Sequence, residues 1–500
     1  MTLRLPLLLL LSSAALAAAA PLELGSRLEL LVDRFLVDRM EGVSLKLAEP
    51  RSAGVAFRYD QPWEQIATGT ATVLADGGLY RLYYSALPWG YKSEAAETNL
   101  CYAESRDGVT WSKPSLGLVE FRGSRENNII LLEDAQERFA GNFAPFIDRR
   151  PGVPADERFK AVGGVWPKGI FVLVSADGIR WRKWRPNPVF TAGAFDSQNV
   201  AFWSESEQCY VLFFRVFTGT DHAAVKTWQM EGYRSVAKTT SPDLIHWTNP
   251  QRMSFGDTPL EHLYENRTHP YPRAPHLYIA YPMRFVPGRR VLSDETFVRL
   301  GVLPSYVNHV GIPSGLRTIP NEVSDTVFMT SRGGYRYDRT FMEAFVRPGS
   351  DEGNWVSRNG IAATGTVVTG PTEMSIYVGQ HYMQPTAYVG RFTLRLDGFA
   401  SWHAPYAGGE VITKPIKVSG KSLVVNGATS AAGSVRVEVQ TEDGEPIPGY
   451  TLSESPEMVF DSIEYSVRWV ARNGLESLVG QTVRLRFVMK DADLYALRFR

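Results

Sequence analysis

The chain has 500 residues, 44% hydrophobic and 21% charged, with 53 basic and 53 acidic side chains and no net charge. A neutral chain without a Lys/Arg run argues against nucleic acid or an anionic membrane surface as main partner, because both demand clustered cations. Its length exceeds one simple core and predicts two domains plus a leader, and 43 Gly, 31 Pro and 12% aromatics favour short strands and turns over helices.

Residues 1–20, MTLRLPLLLLLSSAALAAAA, read as a secretory signal: one early Arg, an apolar stretch from Leu5 to Leu11 and a small-residue exit. An uncleaved anchor is the alternative, but the apolar part is short for a membrane span. No other segment approaches that length, so no membrane insertion is expected after the leader is removed. The mature chain is expected to be secreted or periplasmic in a bacterium. Export permits disulfides, yet only Cys101 and Cys209 exist, in strand-like text far apart, and they read as two separate buried thiols.

Residues 21–55 read as a lead-in of one or two strands that packs on the domain after it. From residue 56 a short hairpin signature recurs five times: SRDGVTW (105–111), SADGIRW (175–181), SPDLIHW (241–247), SRGGYRY (331–337) and LDGFASW (396–402). Asp-Gly after a strand-like run marks a tight reversal, since Gly accepts the positive φ that the turn needs. The closing aromatics Trp111, Trp181, Trp247, Tyr337 and Trp402 fall 70, 66, 90 and 65 residues apart. A supersecondary unit at near-constant spacing predicts radial repetition, so the expected fold is all-β, a five-bladed β-propeller over 56–405. A poorly patterned insert at about 286–322 accounts for the long step. The innermost strands are expected to open the blades, at 141–148, 195–203, 273–285 and 372–382 in blades two to five. After Trp402 the strand-like runs are separated by turn signals every 8–14 residues, which predicts a C-terminal β-sandwich over 406–500.

The S-x-D-G-x-x-W hairpins followed by such a sandwich resemble the five-bladed propeller glycoside hydrolases, families 32 and 43, and secreted bacterial proteins described as family 32 N-terminal-like. The hairpins are also similar to the sialidase Asp-box, which has one more residue between Asp and Gly. The family 32 motifs Trp-Met-Asn-Asp-Pro-Asn, Arg-Asp-Pro and Glu-Cys are absent. No phosphate loop, serine-nucleophile elbow or His-Glu-x-x-His pattern occurs either.

The resemblance implies two carboxyl groups flanking a scissile glycosidic bond, one protonated and one ionised. They should stand where innermost strands begin. Four acids are the catalytic candidates: Glu64 beside Trp63, Asp196 among Ser197, Gln198 and Asn199, Glu261, and Glu373. Against each stands a plain alternative, a surface or turn carboxylate. Residues 261–276 hold the densest polar cluster, from which Glu265, Arg273 and His276 are expected to bind substrate. Trp63 would stack on a sugar ring and Asn199 would hydrogen-bond it. His262, His269 and His276 match no zinc spacing. Asp148 and Glu343 read as structural. No cofactor is expected; a structural Ca2+ is compatible with the pattern but no spacing indicates one. The implied partner is a carbohydrate substrate, with no oligomeric state specified. A non-catalytic carbohydrate-binding propeller and a protein-binding envelope propeller are the alternatives.

Overall fold

A computed structural model describes residues 20–88, 98–133, 138–221, 231–302 and 322–500; the leader, apart from Ala20, and part of the long insert lie outside these. The molecule is nearly all β. Among the described residues α-helix is confined to Asp294–Arg299, capped by Ser293.

Three sheets are four-stranded meanders with strands side by side in chain order. Sheet one contains Ile66–Asp76, Leu79–Leu87, Asn99–Ser105 and Ile129–Leu132. Sheet two contains Ala144–Ile147, Phe159–Gly163, Phe171–Ser175 and Arg182–Lys183. Sheet three contains Val200–Ser204, Cys209–Phe217, Arg234–Ser241 and Gln251–Arg252. In sheet four, His269–Tyr271 pairs with Ala274–Ala280, which pairs with Met329–Ser331. Past a break, Met283–Pro287 and Glu322–Thr326 continue this hairpin, with His262–Leu263 at its side. Sheet five joins Val367–Val368, Glu373–Gln380 and Tyr388–Arg395 to Arg51–Arg58 from the start of the chain.

The opening strands of sheets four and five are thus His269–Tyr271 and Val367–Val368. The runs expected there, 273–285 and 372–382, are second strands, recognisable as continuous apolar text because sheets pack on both of their faces. First strands touch in succession: Val367–Val368 against Ile66–Asp76, then Ala144–Ile147, Val200–Ser204 and His269–Tyr271. The hydrophobic clusters lie between consecutive sheets. Tyr84, Cys101, Tyr377 and Val389 pack between sheets five and one, and Tyr83, Phe143, Phe171 and Leu173 between one and two.

The hairpin signature joins the third and fourth strands, so it lies at the end where first strands finish. Asp107 Oδ1 accepts the backbone N–H groups of Val109 and Thr110 (both 2.8 Å), and Ser105 Oγ accepts that of Gly108 (2.8 Å). The Thr110 and Val109 amides draw the Asp107 carboxyl down to about 2. Gly108 and Gly178 take φ of +70° and +74°. Each glycine carbonyl accepts a tyrosine hydroxyl from the preceding sheet, Tyr377 on Gly108 and Tyr83 on Gly178. The signature is therefore an inter-sheet staple. A Cβ on Gly178 would stand 2.7 Å from the Tyr83 hydroxyl oxygen. Gly178→Ala is expected to cost about 2 kcal/mol through left-handed strain and the displaced hydrogen bond, read as a lower urea midpoint. In the third copy Leu244 holds φ +66° where the others use Gly, and it is buried.

The fifth copy departs from expectation. Asp397-Gly398 does turn, but Ala400–Ala404 joins a nine-stranded sheet with Gly409–Thr413, Ile416–Lys417, Leu423–Thr441, Asp461–Ser466 and Thr482–Phe499. Trp402 is fully buried there against Phe487, so the change of sheet falls between Arg395 and Ala400 rather than at 405. The lead-in also behaves differently from expectation: Glu29–Leu30, Val37–Glu41 and Ser44–Leu47 are strands of this same C-terminal sheet. Its spine is the ribbon of Leu423–Thr441 with Thr482–Phe499, whose register shifts at Asn426/Gly427 and Thr429/Ser434 let it bend. Val483, Leu485, Phe487 and Met489 alternate into its core with the period of a strand.

Candidate functional site

Two of the sequence candidates meet where first strands begin. The loop entering sheet three is stitched to the strand beside it: Ala194 N–H donates to the Arg215 carbonyl (3.0 Å), and Asn199 Oδ1 accepts the Arg215 N–H (3.2 Å). This places Asp196 Oδ1 2.8 Å from Arg215 Nη1. Asp196 is 23% exposed while the Arg215 side chain is 1% exposed, so the carboxylate faces outward from a buried base. Asn199 is buried and its amide donates to the Ser197 carbonyl (2.9 Å). Both of its side-chain polar atoms are thus engaged in shaping the loop.

Glu265 lies in the loop entering sheet four. It is buried and ion-paired with Arg267, whose guanidinium also donates to the Ala71 and Gly69 carbonyls at the start of sheet one. Burial pushes the Glu265 carboxyl up; Arg267 and Arg215 oppose this and Asp196 reinforces it. Beneath these groups Gln198 ties four sheets together. Its amide nitrogen donates to Thr72 Oγ1 (3.0 Å) and the Phe143 carbonyl (2.7 Å), and its oxygen accepts from Thr364 Oγ1 (3.2 Å). Past this cross-link a cavity of about 230 Å³ runs from Thr72 and Thr364 along Phe146, Phe202 and His269 to Glu205 and Pro275. No lining residue of that cavity belongs to the Asp196–Glu265 group.

Three guanidinium groups surround the same spot. Arg215, Arg358 and Arg234 lie 4.5, 5.3 and 5.5 Å from the Tyr264 ring centre. His262 Nδ1 accepts the Arg234 N–H (3.2 Å), and its ring packs on Tyr233. Burial, then Arg234 and Arg215, hold the His262 imidazole below its usual range, toward the neutral form.

The other candidates are not brought here. Glu261 accepts from Arg284 (3.0 Å) and Arg339 (2.8 Å) in a network with Asp325. Glu373 opens a second strand, at the opposite end from Asp196, and accepts from Thr369 Oγ1 (2.8 Å) and Arg391 (3.0 Å). Arg273 and His276 bond Asp397 and Glu29, joining sheet four to the segments that lead into the C-terminal sheet. Trp63 donates to Asn128 Oδ1 (2.6 Å) and packs edge-on to Phe121, occupied within the protein. The three histidines take unrelated partners, Arg234, Thr366 and Glu29. Asp148 accepts from Tyr210 and Lys160 inside the core. Cys101 is buried and Cys209 half-buried, and both thiols are free.

Glu64 is fully buried between sheets one and five, 2.9 Å from both the Tyr84 hydroxyl and Lys113 Nζ. Burial outweighs Lys113 and Tyr84 and raises its carboxyl from 4.5 to about 7. The folded state therefore holds this proton more tightly than the unfolded chain. The group's stabilising contribution is complete below pH 4.5 and is lost as pH rises through 7, about 3 kcal/mol in all. Unfolding titrations should show that slope in the wild type and a flat line in its place for Glu64→Gln.

Sequence reasoning missed Arg215, Arg234, Arg358 and Tyr264. One signal was available: Arg215 interrupts the apolar run CYVLFFRVF, where an unpaired charge would be costly. Arg267 and Arg358 reach their places through φ of +52° and +58°, which no side-chain pattern announces.

No family model matches the chain. Two Mycobacterium tuberculosis proteins, Rv1502 and MT1551, both described as uncharacterized, are 30% identical over 128 residues, 25% of this chain and 34% of theirs. The chain thus spans about a third of the length of the curated relatives it matches. The solved structures it resembles include glycoside hydrolases of propeller type and an N-acetylgalactosamine deacetylase from F. plautii. One described as a glycoside hydrolase gives a TM-score of 0.43 at 11% identity, over 70% of this chain and 92% of that one. An exo-beta-1,3-galactanase from Phanerochaete chrysosporium with beta-1,3-galactotriose gives 0.37 at 11%, over 90% and 100%. An exo-inulinase from Aspergillus awamori gives 0.36 at 12%, over 89% and 99%.

Proposed function

We propose that the protein is an exported glycoside hydrolase of a poly- or oligosaccharide, and that sheets one to five are the blades of a five-bladed propeller backed by a C-terminal sandwich. Residues 1–20 would be the cleaved leader that delivers it to the periplasm or the medium. The observation that carries this reading is the convergence of Asp196 and Glu265 from two sheets, at the end where first strands begin. One carboxylate is partly exposed and held by Arg215; the other is buried against Arg267, and burial pushes its carboxyl up. Opposed environments of this kind assign opposed roles. Asp196 is the nucleophile or base, and Glu265 the candidate acid, which takes up a proton only by giving up its ion pair with Arg267. The Gln198 cross-link forms the floor, so a sugar chain enters from the side of Asp196 and does not thread the cavity.

A carbohydrate-binding protein without turnover is the second reading, favoured by the engagement of both carboxylates with arginines. Measuring newly released reducing ends across a panel of polysaccharides separates the two. Release by the wild type, lost in Asp196→Asn, supports hydrolysis. Binding to a glycan with no release at any pH from 4 to 9 supports the second reading, and full activity in Asp196→Asn removes that residue from the mechanism.

A further inference from the structure

Two of the arginines around Tyr264 carry buried N–H groups that find no acceptor among the described residues. Asp196 engages one nitrogen of Arg215, and Arg215 Nη2 is buried with no hydrogen-bond partner. Arg234 Nε is likewise buried and unpartnered, and among the described residues no carboxylate pairs with the Arg234 guanidinium, which rests over the rings of Phe217, Tyr264 and Phe285. Arg358 adds a third positive charge over Tyr264, while Arg267 is matched by Glu265. Burial and the neighbouring Arg215 depress the Arg234 guanidinium, the signature of cations crowded together. Leaving charged N–H donors buried without acceptors is costly. Two different segments nevertheless deliver these donors to one place, the second strand of sheet three and the first residue of its third strand.

We infer that Arg215 and Arg234, assisted by Arg358, form a subsite for the carboxylate of an acidic sugar, so that the substrate carries a uronic acid unit beside the bond facing Asp196. A planar carboxylate offers two acceptor oxygens in the spacing of a guanidinium fork and would satisfy both orphaned N–H groups at once. The glycans processed are then acidic ones, made of or decorated with uronates. This rests on the hydrolase reading for its context but not for its test, because occupancy is measured without turnover.

Calorimetric titration of the full chain with sodium galacturonate and sodium glucuronate is the direct probe, compared with galactose, methyl galacturonate ester and glucose 6-sulfate. The uronates are expected to bind at least about tenfold tighter than the neutral sugar and the ester, and to weaken as salt rises. Arg234→Gln should lose about 10- to 100-fold in uronate affinity, and Arg234→Lys should recover part of it. Equal affinity for uronate and ester in the wild type overturns the proposal whatever the variants do. Unchanged uronate binding in a folded Arg234→Gln also overturns it, and a preference for the 6-sulfate overturns the carboxylate assignment. Uronate binding with no glycan cleaved would leave this subsite standing and remove the hydrolase reading. Cleavage of neutral glycans with no uronate preference would do the reverse.

Discussion

Asp196→Asn is expected to lower the rate of glycan cleavage at least about 10³-fold while leaving the fold intact. The amide oxygen of asparagine can still accept the 2.8 Å hydrogen bond from Arg215, so the entry loop keeps its anchor and the melting temperature should barely change. What is lost is a negative charge at a partly exposed position, the property a nucleophile or base requires. Glu373→Gln, at the far end of its sheet, should leave turnover within about twofold of wild type, because the removed charge faces Arg391 and Thr369. Steady-state rates of the two variants on one substrate decide the matter. Equal losses would mean that Asp196 acts only through the fold.

The second large effect is on stability. Arg332→Ala is expected to cost about 3–5 kcal/mol, the range for removing one partner of a buried ion pair. Arg332 contacts Glu29 and Asp33 at 2.8 Å each and lies 4.0 Å over Phe35. Glu29 is fully buried. Burial alone would raise its carboxyl, but the His276 hydrogen bond and the Arg332 charge overcome that and bring it down to about 2. With the folded value below the ordinary 4.5, Glu29 stabilises the protein above pH 4.5, and this contribution is lost as pH falls through 2. Urea unfolding at pH 7 should show the deficit, and it should narrow in acid, where Glu29 is neutral in both proteins. A loss below about 1 kcal/mol would show that Arg27 and His276 suffice.

The two variants mark what could be read from the letters. Ser105, Asp107 and Gly108 announce a tight turn because each acts locally, Ser and Asp by accepting nearby amides and Gly by taking the positive φ. Five copies at near-even spacing made the repeat legible. Tyr83 and Tyr377, which bind the turns of the next sheets, could not be found this way, since the partners lie far apart in the chain. The fifth copy misled for the same reason. LDGFASW carries the right turn chemistry, but Trp402 is claimed by a larger apolar surface, the alternating face of Thr482–Phe499. Asp196 was found because it stands among small and amide residues before an apolar run. The dense text of residues 261–276 divides between two ends of one sheet, Glu265 at the entry and His276 near the exit. Only strand direction, two short steps of chain in this case, decides that division.

Among the described residues the outer strand of sheet five, Arg51–Arg58, pairs with Tyr388–Arg395, and Glu29–Leu30, Val37–Glu41 and Ser44–Leu47 find their partners from Ala400 onward. During synthesis these opening segments must wait, with unsatisfied edges, until nearly the whole polypeptide has emerged. Neither part can be made alone as a self-sufficient fragment by cutting near residue 396, because each would lack strands supplied by the other side of the cut or by the shared beginning. A nick in a surface loop, by contrast, should leave two pieces that remain clasped together without a covalent link.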